Sequence, residues 1–313
     1  MQSGKITYVL ITPARNEEAY IEKTIQAVVA QTILPRKWII VSDGSTDRTD
    51  DIVKKYLPDH PWIELIRMPE HRDRHFAAKV MCFKAAYEKV KNTEYDVIVS
   101  LDADITFEPD YFEFLLRKLA DFPELGVVGT PFVEGSAHYD YRFTNIEHVS
   151  GACQMFRREC FEDIGGYIPN KGGGIDWIAV TTARMKGWKT RTYTEKTCIH
   201  HRIIGTGTHG NVMRWFKQGR KDYLLGSHPL WQVFRSLYQM KQKPYVVCGS
   251  LLLTGYIWSM MKREKRPISR ALIIFNRREQ MQRLKIIFFA SPSPVTRSEG
   301  ECSVGKPGTG RGA

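Results

Sequence analysis

At 313 residues with a net charge of +12, the chain is long enough for one large α/β unit with an appendage, and its basic balance calls for anionic partners. Its six cysteines are scattered, with no Cys-x-x-Cys pair and no tight Cys/His cluster, which argues against structural zinc and against a disulfide scaffold. The polar Met1 end runs directly into the first apolar run, so no signal peptide and a reducing, cytosolic setting are expected.

The first half alternates strand and helix signals. Ile6–Thr12 predicts a strand, followed by the loop Pro13-Ala14-Arg15-Asn16-Glu17 and a helix over Glu18–Gln31, where Ile21, Ile25, Val28 and Val29 recur at helical spacing. Trp38–Val41 predicts the second strand, the turn Ser42-Asp43-Gly44-Ser45-Thr46-Asp47 follows, and Asp47 or Thr49 can cap a helix through Tyr56. Trp62–Arg67 reads as a strand, Phe76–Val90 as a helix and Val97–Leu101 as a fourth, fully apolar strand. Pro109 fits the first turn of a helix over Asp110–Ala120, and Gly126–Phe132 is one more strand. Strict alternation with short connections implies a parallel sheet covered by helices on both faces.

Three loops therefore project from one edge of that sheet, carrying Arg15-Asn16-Glu17, Asp43-Gly44-Ser45 and Asp102-Ala103-Asp104. Open α/β sheets bind ligands at this carboxyl edge. Two carboxylates two residues apart at a strand end can gather a divalent cation, and oxygen ligands suit Mg²⁺ or Mn²⁺. The first strand is not followed by Gly-x-Gly-x-x-Gly or a Walker loop, so a phosphate group must be held by metal and side chains instead.

Ile11-Thr12-Pro13-Ala14-Arg15-Asn16-Glu17-Glu18, Val41-Ser42-Asp43-Gly44-Ser45-Thr46-Asp47 and Leu101-Asp102-Ala103-Asp104, in that order, resemble the family-2 nucleotide-sugar glycosyltransferases of the GT-A fold over roughly residues 5–225. The resemblance implies that Pro13, Arg15, Glu17 and Asp43 hold the nucleoside. It implies that Asp104 binds the metal on the donor diphosphate, while Asp102 faces the ribose and metal waters and Ala103 completes the nucleotide-sugar element. The family's loop and helix start between the third and fourth strands contact the diphosphate, which makes Arg74 and Lys79 the basic candidates there; a solvated helix start is the alternative.

In the second half, Gly172-Gly173-Gly174-Ile175-Asp176 leads into a helix over Trp177–Lys186 ended by Gly187. The family pattern here is Glu-Asp, with the Asp as general base; Ile175 replaces the Glu and Asp176 is retained. A helix cap is the alternative role for Asp176. After a strand-like Arg191–Thr194, His200-His201-Arg202 resembles the position of a metal- or diphosphate-binding His, with His200 the first candidate metal ligand and His201 the second, against the alternative of packed or surface histidines. Arg214-Trp215-Phe216-Lys217-Gln218-Gly219-Arg220 resembles, with its parts reordered, the Gln-x-x-Arg-Trp element of processive synthases, which would bring Gln218 and Arg220 near the donor phosphates. The alternative is a basic amphipathic helix. The altered order and the lack of several long apolar segments argue against a processive synthase.

Residues 262–313 hold twelve Lys/Arg against four Glu, so +8 of the +12 lies in the last sixth of the chain. Tyr245–Met261 is apolar and at the lower limit for a spanning helix. Ala271–Ala290 mixes apolar and basic residues as an interfacial helix does. Monotopic attachment to the cytoplasmic face of a membrane is therefore expected over a span, against the alternative of a helical pair packed on the catalytic domain. Residues 291–313 read as disordered.

The expectation is thus an α/β GT-A protein, Rossmann-like, its mostly parallel sheet flanked by helices and followed by a C-terminal helical membrane-associated extension. The domains would be 1–225 (nucleotide-binding half about 1–132, acceptor half about 133–225), 226–290, and the tail 291–313. The implied activity is inverting, metal-dependent transfer (Mn²⁺ or Mg²⁺) of a sugar from a nucleotide-diphosphate donor, a UDP-sugar by expectation, to a hydroxyl of a lipid-linked or surface-polysaccharide acceptor. An anionic membrane surface is an expected partner and nucleic acid is not, for want of a recognition motif. Alternatives are a polyprenyl-phosphate glycosyltransferase using a GDP- or UDP-sugar and a non-catalytic glycan- or lipid-binding scaffold. A sugar-nucleotidyltransferase would need the missing Gly-rich loop.

Overall fold

The computed structural model describes residues 6–70, 76–134, 145–170, 172–202 and 213–289. In chain order the elements are β1 (Tyr8–Ala14), α1 (Ile21–Val29), β2 (Lys37–Ser42), α2 (Thr49–Tyr56), β3 (Ile63–Arg67), α3 (Phe76–Val90), β4 (Val97–Leu101) and β5 (Ile105–Thr106). There follow α4 (Tyr111–Asp121), β6 (Leu125–Gly129), β7 (Phe132–Val133), β8 (Cys153–Arg157), α5 (Arg158–Asp163), α6 (Ile175–Met185), β9 (Lys189–Thr192) and β10 (Cys198–His200). Four helices close the described chain: α7 (Met213–Leu224), α8 (Pro229–Met240), α9 (Val247–Met261) and α10 (Arg270–Phe289).

Seven strands form one sheet in the order β3-β2-β1-β4-β8-β6-β9. β1 pairs in parallel with β2 and β4, which makes the crevice between β1 and β4 a topological switch point. Both sheet faces are buried, which is why β1, β2 and β4 read as apolar runs. Along β1, Tyr8 and Leu10 pack with α1 and α4 on one face, while Val9 and Ile11 pack with α3 on the other.

The sheet is mostly parallel, as expected, with β8 antiparallel to both β4 and β6 and wedged between them. Two expectations need correcting. Gly126–Phe132 is two strands, β6 in the main sheet and β7 in a three-stranded sheet β5-β10-β7, and Pro131, which has no N–H for a ladder, lies between them. Pro109 precedes its helix, whose N-cap position is Asp110.

The C-terminal helices pack on the rest of the molecule. α7 crosses α9 at backbone contact: a Cβ on Gly219 would lie 2.0 Å from the Leu252 carbonyl oxygen, and one on Gly255 2.1 Å from that of Phe216. α10 docks on α6 through Arg184, whose Nε and Nη2 donate to the Glu279 carboxylate at 2.7 and 3.0 Å. Leu272 of α10 packs with Ile178 and Leu225. α9 has 15 residues, and at ~1.5 Å per residue it is shorter than a hydrocarbon core of ~30 Å. Among the described residues no helix is long and apolar enough to cross a membrane, so the single span left open for Tyr245–Met261 is not formed there. The expected disordered tail lies outside the described residues.

Candidate active site

The first two loops are bound to each other before any ligand is considered. Asn16 takes a left-handed conformation (φ 55°), which Asn tolerates better than most residues. There its Oδ1 accepts from the Thr46 N–H at 2.9 Å. Its own N–H donates to Ser45 Oγ at 3.2 Å, and the Glu17 N–H donates to Thr49 Oγ1 at 2.7 Å. Asp43 donates its N–H to the Ala14 carbonyl at 2.8 Å and its carboxylate lies 3.6 Å from Arg15. Gly44 (φ +62°) is required here, since a Cβ would meet the Glu70 Cα at 2.7 Å.

At the end of β4, Asp102 forms an ion pair with Lys79, on α3. Burial pulls the Lys79 ammonium down, but the carboxylates of Asp102, Asp176 and Asp104 outweigh it and hold its pKa above the ordinary lysine value. Asp104 is 6 % exposed. Burial, with the charge of Asp102, raises its carboxyl above the usual range against the opposing pull of His200 and Arg202. Its Oδ2 lies 3.4 Å from His200 Nε2 and 3.5 Å from Arg202 Nε, and Arg202 also forms an ion pair with Glu17. His201 points elsewhere: its Nε2 bonds Thr106 Oγ1 at 2.9 Å and its ring stacks on Tyr20.

Asp176 occupies the first turn of α6, two residues after the N-cap Gly174 (φ +79°) and with no capping hydrogen bond, so it is not the helix cap. Its side chain lies against Gly151, where an added Cβ would be 3.0 Å from the Asp176 Cβ and 3.2 Å from its Oδ2.

These groups open onto one cleft of about 990 Å³. Its walls bring together Pro13, Arg15, Glu17, Asp43, Lys79, Asp102, Ala103, Asp104, Asp176, His200 and Gln218, eleven residues singled out from the sequence. Arg220 is not among them: it bonds Glu264 at 2.7 Å. Residues 218 and 220 lie on different sides of a helix, whereas 218 and 221 share one face, and Lys221 is the residue that lines the cleft. Arg74 lies outside the described residues. Two more residues line the cleft: Arg202, which the sequence names beside His200 without a role of its own, and His148, which stands alone before β8 with no motif around it. Cys82 lines the wall as well, but burial and the Asp43 carboxylate push its thiol up to about 12, so it is no nucleophile at neutral pH.

A divalent metal fits Asp104 and His200. A buried carboxylate and an imidazole nitrogen lie 3.4 Å apart as an oxygen and nitrogen donor pair, with the charge of Asp102 raising that carboxyl and Arg202 3.5 Å from the same oxygen. The described residues contain no cluster of three or more His, Cys, Asp or Glu able to hold a metal alone, so the remaining ligands would come from a diphosphate and water.

Residues 9–143 match the family model described as Glycosyl transferase family 2. A poly-beta-1,6-N-acetyl-D-glucosamine synthase of Staphylococcus aureus is 27% identical over 170 residues, covering 48% of this chain and 39% of that protein. The synthase of the same name from Staphylococcus epidermidis is 21% identical over the same shares. The chain therefore spans about two fifths of the length of these relatives. Among solved structures, the mannosyltransferase PcManGT from Pyrobaculum calidifontis in complex with GDP-Man and Mn²⁺ superposes with a TM-score of 0.54 at 17% identity, covering 91% of this chain and 81% of that one. S. aureus TarS 1-349 in complex with UDP-GlcNAc gives 0.53 at 12% identity, covering 88% and 81%. At these identities the likeness is one of fold, and that fold is GT-A.

Proposed function

We propose that the chain is a family-2 glycosyltransferase that transfers the sugar of a UDP-sugar, with inversion and with a divalent metal, to a hydroxyl of a glycan or lipid-linked acceptor. The observation that carries this reading is the single cleft in which the loops after β1, β2 and β4, the Asp104–His200 pair and Asp176 all meet. In this reading Pro13, Arg15, Glu17 and Asp43 seat the nucleoside, and Lys79, Arg202, Gln218 and Lys221 face the diphosphate and the sugar. Asp176 takes the proton of the acceptor hydroxyl as its oxygen attacks the anomeric carbon. One base and no nucleophile suit a direct displacement. A metal on Asp104 and His200 would neutralise the charge that develops on the departing diphosphate. UDP-GlcNAc in a structural neighbour and N-acetylglucosamine in the relatives' name support the UDP-sugar. GDP-Man in the other neighbour keeps the mannosyl donor as the alternative. Screening UDP- and GDP-sugars for nucleoside diphosphate release with Mn²⁺, Mg²⁺ or chelator tests the proposal; release undiminished by chelator, or from no sugar nucleotide, overturns it.

We further propose that α8–α10 seat the protein on an anionic membrane surface, where a lipid-linked acceptor would be found. Leu230, Val233 and Leu237 recur along one side of α8 and are exposed, as are Ile257, Trp258 and Met261 near the end of α9. Lys241, Lys243, Lys262, Arg263 and Lys265, all exposed, flank α9. Apolar groups beside basic ones are what an anionic interface selects.

A further inference from the structure

Gln154, in the middle of β8, is 1 % exposed, in a sheet whose interior is otherwise mostly apolar. A leucine would fill such a position without the cost of desolvating an amide, so the amide is tolerated only because its polar atoms are satisfied. Its Oε1 accepts from the Tyr167 hydroxyl at 2.7 Å. Its Nε2 donates to the Val149 carbonyl at 2.9 Å and reaches the Asp176 carbonyl at 3.5 Å. Both amide hydrogens thus serve the two backbone segments around the carboxylate proposed as the base. Tyr167 is fixed in turn by edge-on contacts with Phe83, Phe156 and Phe161. Across the β4–β8 ladder Gln154 stands opposite Ser100, two residues before Asp102.

Gly151 completes the arrangement. It lies between Val149 and β8, and its bare Cα leaves the space in which the Asp176 carboxylate rests, 3.2 Å from where a Cβ would be. Val149 O and Asp176 O, held by one amide, bracket that contact from both sides.

We propose that Gln154 is a positioning residue: through Val149, Gly151 and the first turn of α6 it sets the carboxylate of Asp176 relative to the strand that carries Asp102 and Asp104. The role rests on Asp176 being the base. Fully satisfied buried polar networks favour one geometry over its neighbours, and a base displaced by a fraction of an ångström loses alignment with the hydroxyl it serves.

The test is a double-mutant cycle on the full chain, with release of nucleoside diphosphate from UDP-GlcNAc and GDP-mannose as the rate and calorimetry for donor affinity. Gln154→Leu should lower kcat ~10–100-fold, the range for misplacing a catalytic group from a distance. Donor Kd should stay within about twofold, because no group that faces the nucleoside has changed. Combined with Asp176→Asn, it should slow the enzyme no further, since a positioning residue has no function once its base is gone. Tyr167→Phe, which removes one hydroxyl and keeps the ring, should show a smaller loss with the same lack of additivity, and it decides the matter if Gln154→Leu does not fold. A parent kcat in these variants, or a loss that multiplies with that of Asp176→Asn as an independent folding defect would, overturns the positioning role. A parent rate in Asp176→Asn itself overturns the base assignment, and this role with it. A slow Asp176→Asn beside a parent-rate Gln154→Leu overturns the positioning role alone.

Discussion

On the edge of the cleft proposed to hold the donor, each cation already has its carboxylate: Arg15 faces Asp43, Lys79 faces Asp102, and Arg202 is shared between Glu17 and Asp104. The loops beneath them are bound to one another by backbone and hydroxyl hydrogen bonds. On the acceptor edge neither Asp176 nor Lys221 has an ion pair within 4 Å among the described residues, and the backbone is shaped by Gly151, Gly173 and Gly174 instead. In the proposed function a donor with its metal would therefore exchange with ion pairs already in place. An acceptor would meet groups that are held in position but not ion-paired. Substitutions on the first edge should be read in binding, and those on the second in the chemical step.

The sharpest break of that contrast is Asp176→Asn. The amide keeps the shape beside Gly151, so fold and donor affinity should stay within a few-fold of the parent. Transfer should fall by ~10²–10⁴, the range for losing a positioned base. Donor calorimetry and turnover on the same preparation check it. A large loss of donor affinity would mean that the two edges are not separable.

Asp104→Ala is the mirror case. It removes the buried carboxylate shared by His200 and Arg202 and should cost nucleoside diphosphate about 100-fold or more in affinity in the presence of Mn²⁺, the upper end for losing part of a metal site. Without metal the variant and the parent should bind alike. If the parent binds equally well in chelator, the ion pairs alone hold the diphosphate and the metal assignment fails.

How far the sequence could be read follows the same division. β1, β2 and β4 are buried on both faces, so each is an apolar run that announces itself, and the residues proposed to hold the donor sit in the loops directly after them. β8 carries Gln154 among its core residues and runs against its neighbours, and nothing in its composition signals either the strand or its antiparallel insertion. On α7 the basic residue facing the cleft is Lys221 and not Arg220, because helical geometry places position 218 beside 221. A motif read as a string of letters does not carry that geometry. For α9 the sequence leaves a membrane surface and packing on the catalytic domain both open, and only the folded chain shows that Gly249 and Gly255 allow its close contacts with α8 and α7.

The surface on α8 and α9 is better tested by substitution than by truncation, because removing α9 would uncover α7 and disturb the cleft wall that carries Gln218 and Lys221. Replacing Leu230, Leu237 and Trp258 by Ser should reduce sedimentation with anionic vesicles by about tenfold or more, given the ~1.5–3 kcal/mol that burial of one large apolar side chain contributes. Nucleoside diphosphate release should stay at the parent level. High salt should loosen the parent only in part, since the apolar contribution is not screened. Equal sedimentation of variant and parent would remove the interfacial reading and leave α8–α10 as a packed helical extension.

The smallest expected effect is a pH dependence confined to the donor edge. Burial and the neighbouring Asp102 raise the Asp104 carboxyl above the ordinary value of 3.8. A raised carboxyl means that the folded, metal-free protein keeps this proton at a pH where the unfolded chain has lost it. The favourable contribution is therefore complete below the ordinary carboxylate value and is lost as the pH rises through the folded pKa. A metal needs the ionised form, so its binding displaces that proton, and its apparent affinity falls as the solution is acidified through the raised pKa. The rise in Tm on adding Mn²⁺ should accordingly be full near neutrality and fade within a window that opens above the ordinary aspartate range, by at most about tenfold in apparent affinity per pH unit for one proton. Asp104→Asn should show little Mn²⁺ shift at any pH, while Asp176→Asn, on the other edge, should keep the parent profile. A Mn²⁺ shift that survives undiminished as the pH falls to the ordinary aspartate value of 3.8 would show that Asp104 is not the group the metal ionises.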